Sequence, residues 1–150
     1  MTEDAAPAAP AASAPPADRV LDRVNPPELS PPTGFSHAVT ATGSRLVFLA
    51  GQTALDGEGR IAAHTFPGQF EAALSNLLVA LAASGGTPAD LTRVTVYTTD
   101  VPAYRRHAPE LGRIWRDLVG RDYPAMAVIG VVRLWDEAAW IELDGLAVLP

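Results

Sequence analysis

The chain has 150 residues, 48% of them hydrophobic and 19% charged, a composition that suits one globular domain with ample material for a core. Its formal net charge of -6 argues against a general polyanion binder, because affinity for nucleic acid rests on clustered Lys and Arg. Cysteine is absent, which excludes disulfides, thiolate catalysis and cysteine-held metals and is compatible with a cytoplasmic location. No apolar run approaches the roughly 20 residues that span a bilayer, so no membrane partner is expected.

Residues 1–32 carry the Ala/Pro-rich stretches APAAPAASAPPA and NPPELSPP. Repeated prolines remove amide donors and block helix, so this segment reads as an extended or disordered arm ahead of a domain over residues 33–150. A signal peptide is the competing reading, but there is no basic leading region and prolines interrupt what would be its apolar core.

From Phe35 the pattern alternates. HAVTA, a Thr42-Gly43-Ser44 turn and RLVFLAG together predict a hairpin, with Leu46, Phe48 and Ala50 on one face and Val47 and Leu49 on the other. A turn-rich loop follows through Asp56-Gly57 and Glu58-Gly59. Phe66 to Gly85 is the clearest helix: Phe70, Ala73, Leu74, Leu77, Leu78 and Leu81 recur every three or four residues, Thr65 caps the start and Pro67 fits the first turn. TRVTVYTTD is a β-branched strand. A second helix is predicted from about Pro102 to Val119, with a break or a short first turn near His107 because Pro109 and Gly112 weaken it.

The run from Asp122 to Leu134, DYPAMAVIGVVRL, is almost continuously apolar and predicts a strand central to its sheet and covered on both faces. Met126, Val128 and Gly130 share one of those faces and Ala125, Ala127, Ile129 and Val131 the other. WIELDGLAVL is the last strand. The order β-β-α-β-α-β-β implies an α+β fold, a single mixed sheet with two helices on one face. The opposite face mixes Glu142 and Asp144 with Leu146 and Val148. It is too apolar to leave in water, and burial against copies of the same chain in a closed ring would cover it, with clefts between subunits.

FSHAV, LVFLAGQTALD, FEAALSNLLVALAASGG, VTVYTTDV, YPAMAVIGVVRL and WIELDGLAVL, in that order, resemble the RidA family, also called YjgF/YER057c/UK114. The resemblance spans Ser36 to Leu149. It implies a chorismate-mutase-like fold, a trimeric barrel, and an activity on reactive enamines and imines, hydrolysed to ketoacids without a cofactor. Typical deaminating members have an Arg in a Pro-Ala-Arg-like segment that grips the substrate carboxylate; this chain has Met126 there. A thioether offers dispersion but no donor, so affinity for an α-imino acid is expected to fall by on the order of a hundredfold. Arg133 cannot replace it within the same subunit, having the opposite strand parity and lying about 23 Å further along. Phe35 stands where the family has a Tyr, Ala50 where it has a Ser before the Gly-Gln pair, Val128 where Cys is frequent and Gly112 where it has an Asn. All these replacements are less polar or lack a side-chain donor, while the family's cleft glutamate is kept as Glu142.

The resemblance therefore nominates Glu142 as the catalytic acid or base and Phe35, Ala50, Gly51, Trp115, Met126 and Val128 as substrate-binding. Each has a plainer alternative. Glu142 can cap backbone amides at a subunit interface, Gly51 can permit a tight strand exit, Met126 and Val128 can fill an oligomer core, and Trp115 can pack helix on sheet. His37, His64 and His107 show no ligand spacing and no metal site is expected. Arg105, Arg106, Arg113, Arg116 and Arg121 make the second helix basic, which reads as a solvated face rather than a nucleic-acid surface. Two functions stand against each other: an imine/enamine hydrolase for a small, relatively apolar substrate, and a noncatalytic module that binds a metabolite or docks onto a partner.

Overall fold

The computed structural model describes residues 20–150; the part of the Ala/Pro-rich arm before Val20 lies outside the described residues. The described chain forms β1 (Val20–Val24), β2 (Ala38–Thr42), β3 (Arg45–Gln52), α1 (Phe66–Ala83), β4 (Leu91–Thr98), α2 (Val101–Leu118), β5 (Ala125–Gly130) and β6 (Ile141–Leu149). One four-stranded mixed sheet has the order β3-β6-β4-β5, with β4 and β5 parallel and the other pairs antiparallel; β1 and β2 form a separate antiparallel pair. Both helices pack on one face of the larger sheet, giving the α+β architecture that the element order implied.

Helix α1 forms as its spacing predicts. The Thr65 side chain accepts from the Gly68 amide at 3.1 Å, and Leu74, Leu77 and Leu81 are fully buried against Val94, Val96, Ile141 and Leu143 of the sheet. Gln69 is buried on the same helix, and its amide ties two loops together. Its Nε2 donates to Ala63 O and Ala138 O at 3.2 and 2.9 Å, and its Oε1 accepts from Trp140 N at 2.7 Å. A buried polar group left without its partner costs about 1–3 kcal/mol. Gln69→Leu is therefore expected to lower stability by about 2 kcal/mol, measured by urea denaturation; an unchanged midpoint would show that these loops do not depend on it.

Three expectations need correction. β2 and β3 do not form a hairpin: β2 pairs with β1, Val20 opposite Thr42 and Val24 opposite Ala38, whereas β3 pairs with β6. Gly43 between them serves a close approach rather than a hairpin turn. A Cβ there would collide with the Leu149 carbonyl at the end of β6, where Ser44 N donates to Leu149 O at 2.9 Å. The Val20–Val24 strand also means that part of the Pro-rich segment pairs with the body of the protein.

Second, the apolar run after Tyr123 is not a central strand. β5 ends at Gly130 and lies at the edge of the sheet, and the chain beyond is a loop in which Val132 and Trp135 are almost wholly exposed. Apolar continuity reflects what covers a strand, and among the described residues the outer edge of β5 is met by a bridge from Ser36 to Ala125 at its start and by no further strand.

Third, α2 is continuous through His107 and Pro109. Proline removes the hydrogen bond to the carbonyl four residues before it, here Arg105. Both residues are on the exposed side of the helix, so water takes that carbonyl and the interruption costs little.

Candidate functional site

The residues nominated from sequence fall into two groups on opposite faces of the sheet. Met126 and Val128 lie opposite Val94 and Val96 in the parallel β4–β5 register, and those valines are buried beneath the helices. Met126 and Val128 thus face the helix layer. Together with Phe35 and Trp115 they line a cavity of about 650 Å³, roofed by Tyr104, Leu111 and Tyr123. Trp115 is 2% exposed and stacks on Tyr123, ring centroids 5.6 Å apart. It is thus both a packing residue and a wall of the cavity. The Tyr104 hydroxyl is pushed up to about 12, mainly by burial and then by Tyr123, so it stays protonated. Arg116 and Gly112 stand at the same cavity. Tyr104, Leu111 and Trp115 recur at helical spacing along α2, a pattern that by itself carries no sign that the stripe borders a void.

Glu142 is opposite Tyr97 in the β4–β6 register and lies on the face away from the helices. Gly51 lies beside it. β3 carries one extra residue between Leu49 and Gln52 relative to β6, a bulge that turns both Ala50 and Gly51 outward. A Cβ on Gly51 would overlap the Glu142 carboxylate, 2.8 Å from its Cδ, so glycine is needed here for the approach of Glu142 rather than for a tight strand exit. Asp144 follows on the same face, accepting from the Tyr97 hydroxyl at 3.2 Å, and Asp136 accepts from Thr53 Oγ1 at 3.3 Å. Around this carboxylate group the surface is apolar: Phe48 is 78% and Leu46 61% exposed.

Burial, and then the negative charges of Asp144 and Asp136, hold the Glu142 carboxyl above its ordinary value of 4.5. The raised value sets a sign. The folded protein binds the proton more tightly than the unfolded chain, so this contribution to stability is complete below the ordinary value and is lost as pH rises through the raised one. Melting temperatures of the wild type and of Glu142→Gln, compared from about pH 4 upward, are expected to shift in the variant's favour as pH rises; parallel curves would show that the carboxyl is not perturbed. Among the described residues no three His, Asp or Glu side chains are grouped as a metal site requires.

The Endoribonuclease L-PSP family profile matches residues 26–149. The chain belongs to the Rid/YjgF/UK114 family. Among solved structures it is similar to YyfB from Yersinia pestis, a protein of unknown function of the conserved Rid protein family. That likeness is at 32% identity and TM-score 0.77, over 86% of this chain and 98% of that one. It is also similar to a Mycobacterium tuberculosis member of the YjgF/YER057c/UK114 family, at 25% identity and TM-score 0.59, over 88% and 100% of the two chains. TdcF from E. coli, solved with bound serine, is 25% identical with TM-score 0.63, over 84% and 94%. No curated protein matches the sequence. Phe35, Met126 and Val128 all line the same helix-side cavity, whereas Gly51 and Glu142 meet on the far face of the sheet. Among the described residues, no helix is long and apolar enough to cross a membrane.

Proposed function

We propose that this Rid-family protein is an imine or enamine hydrolase for a small, relatively apolar substrate without the usual α-carboxylate, acting at a cleft between like subunits of a homotrimer. The observation that carries this reading is the division of the site. Met126 and Glu142 sit on opposite faces of one sheet, so no single subunit brings the cavity and the carboxylate together. A ring of subunits does so if the β5 edge of one, with its cavity, meets the open face of the next, with Glu142 and Gly51. The same contact would cover Leu46 and Phe48, which one subunit leaves in water.

Hydrolysis of a C=N bond needs a water beside the imine carbon and a base to take its proton as the carbinolamine forms. A carboxylate with a raised pKa is suited to accept that proton and return it to the departing amine. The cavity supplies apolar walls and aromatic faces, and Met126 offers no donor to an α-carboxylate. TdcF holds a small molecule, serine, which agrees with a small ligand here. A cytoplasmic setting and the absence of any nucleic-acid partner belong to the same reading.

The test is clearance of imines. Products of amino-acid oxidase, which carry the α-carboxylate, are compared with carboxylate-free imines of similar size, while light scattering gives the mass in solution. Carboxylate-free imines are expected to disappear faster and the particle to be three chains. Preference for the carboxylated set, or a monomer at working concentration, overturns the proposal. The noncatalytic alternative is favoured by the loss of polar groups around the cavity, and it predicts ligand binding with no clearance of either set.

A further inference from the structure

Glu142 and Asp144 stand two residues apart on β6 and on the same side of the sheet, about 7 Å from one another at the rise of a strand. The charge of Asp144 reaches Glu142, and carboxylates placed so closely tend to divide one proton between them and to titrate as a pair. The strands on either side turn them apart. β6 lies between β3 and β4; the Glu142 carboxylate leans over Gly51 of β3, whereas Asp144 Oδ2 accepts from the Tyr97 hydroxyl of β4 at 3.2 Å. Tyr97 is the one residue from Val94 to Thr98 that is not β-branched. It lies opposite Glu142 in the β4–β6 register, so its ring must cross diagonally to reach Asp144. Burial and then the Asp144 charge hold its hydroxyl above the ordinary 10.0, and it remains a donor at neutral pH. Among the described residues, Arg93 is the further charged group that β4 brings to this face, and the loop before β6 carries Arg133, Asp136 and Glu137, of which Asp136 acts on Glu142. β3 has no titratable side chain from Leu46 to Gln52, and β5 has none at all.

We infer that Tyr97 is a positioning residue for the proposed hydrolysis: by holding Asp144 toward β4 it keeps the two carboxylates from sharing a proton, so that Glu142, over Gly51, alone exchanges one with water. This rests on the proposed function in taking Glu142 as the reacting carboxylate, and it deepens that reading. The proton taken from water goes to Glu142 and from there to the departing amine, while Asp144 stays out of the exchange and supplies only its charge.

NMR titration of the side-chain carboxyl carbons in the full-length protein reads this directly, the Glu142 signal being the one that disappears in Glu142→Gln. In the wild type Glu142 is expected to titrate in a single step. Tyr97→Phe keeps the ring and removes only the donor; the Glu142 curve is expected to split into two steps, its upper one reduced by about half, as an interacting pair sharing a proton requires. The acid limb of kcat for imine clearance broadens in the same variant, and KM is unchanged. Asp144→Asn removes the negative neighbour, so Glu142 is expected to keep one step that moves down toward the ordinary 4.5, and adding this change to Tyr97→Phe should abolish the splitting. A Glu142 curve already divided in the wild type, one that Tyr97→Phe leaves as it was, or one indifferent to Asp144→Asn overturns the inference. A lower melting temperature in Tyr97→Phe with the Glu142 titration intact would make Tyr97 a packing residue and overturns it too. The NMR readout needs no turnover: clearance with an unaltered titration sinks this inference alone, and the altered titration in a protein that clears no imine sinks the proposed hydrolase alone.

Discussion

Glu142→Gln is expected to lower imine clearance by about a hundredfold or more, since a positioned acid or base contributes roughly 10²–10⁴ to such a reaction, while ligand affinity changes little. The amide keeps the shape of the side chain but cannot take a proton from water. Its neighbours Asp144 and Asp136 do not replace it in this reading, because only Glu142 meets Gly51 at the β3 bulge. That contact provides a second, independent variant. Gly51→Ala would put a methyl group where the carboxylate now lies, and Glu142 is flexible enough to move aside with little cost to the fold. The expected result is a folded protein with clearance reduced toward that of Glu142→Gln. Full activity in both variants would remove Glu142 from the chemistry and leave the noncatalytic reading. A loss that appears in Glu142→Gln and is recovered at no pH fits a missing base; a loss traced to a changed particle mass fits an interface carboxylate instead.

Met126→Arg is expected to raise clearance of α-carboxylated imines by on the order of a hundredfold, the worth of two charge-assisted hydrogen bonds at about 1.5–3 kcal/mol each less the cost of holding the charge in an apolar cavity. Room exists, since Met126 is only half-buried and its side chain borders the cavity rather than the sealed centre of the core. Tyr104 and Trp115 offer ring faces that tolerate a guanidinium stem. Carboxylate-free imines should gain nothing. If the variant folds and neither set changes, position 126 does not face the substrate, and the assignment of the cavity to the ligand falls with it. Kinetics on both substrate sets, with melting temperatures recorded alongside, decides between these outcomes.

Much of the architecture was legible in the residues. The three- and four-residue spacing of Phe70, Leu74, Leu77 and Leu81 specified α1 and its buried face, and the β-branched run after Thr92 specified β4, because each periodicity states which side of an element must avoid water. The retained segments in their order were enough to indicate the family. Within each strand the alternation was also correct: Leu46 and Phe48 do share an exposed face, and Glu142 and Asp144 do share theirs.

What the residues alone determined was therefore the kind of each element, which side of it is apolar, and the α+β class to which their order leads. Only the tertiary structure decided which strands pair, that β2 joins β1, that β5 lies at an edge, and that Met126 and Glu142 stand on opposite sides of the same sheet. The reason is physical. Side-chain period is a local property of one strand, whereas register and neighbour order come from contacts between strands far apart in the chain, such as Gly43 against Leu149 and Gly51 against Glu142.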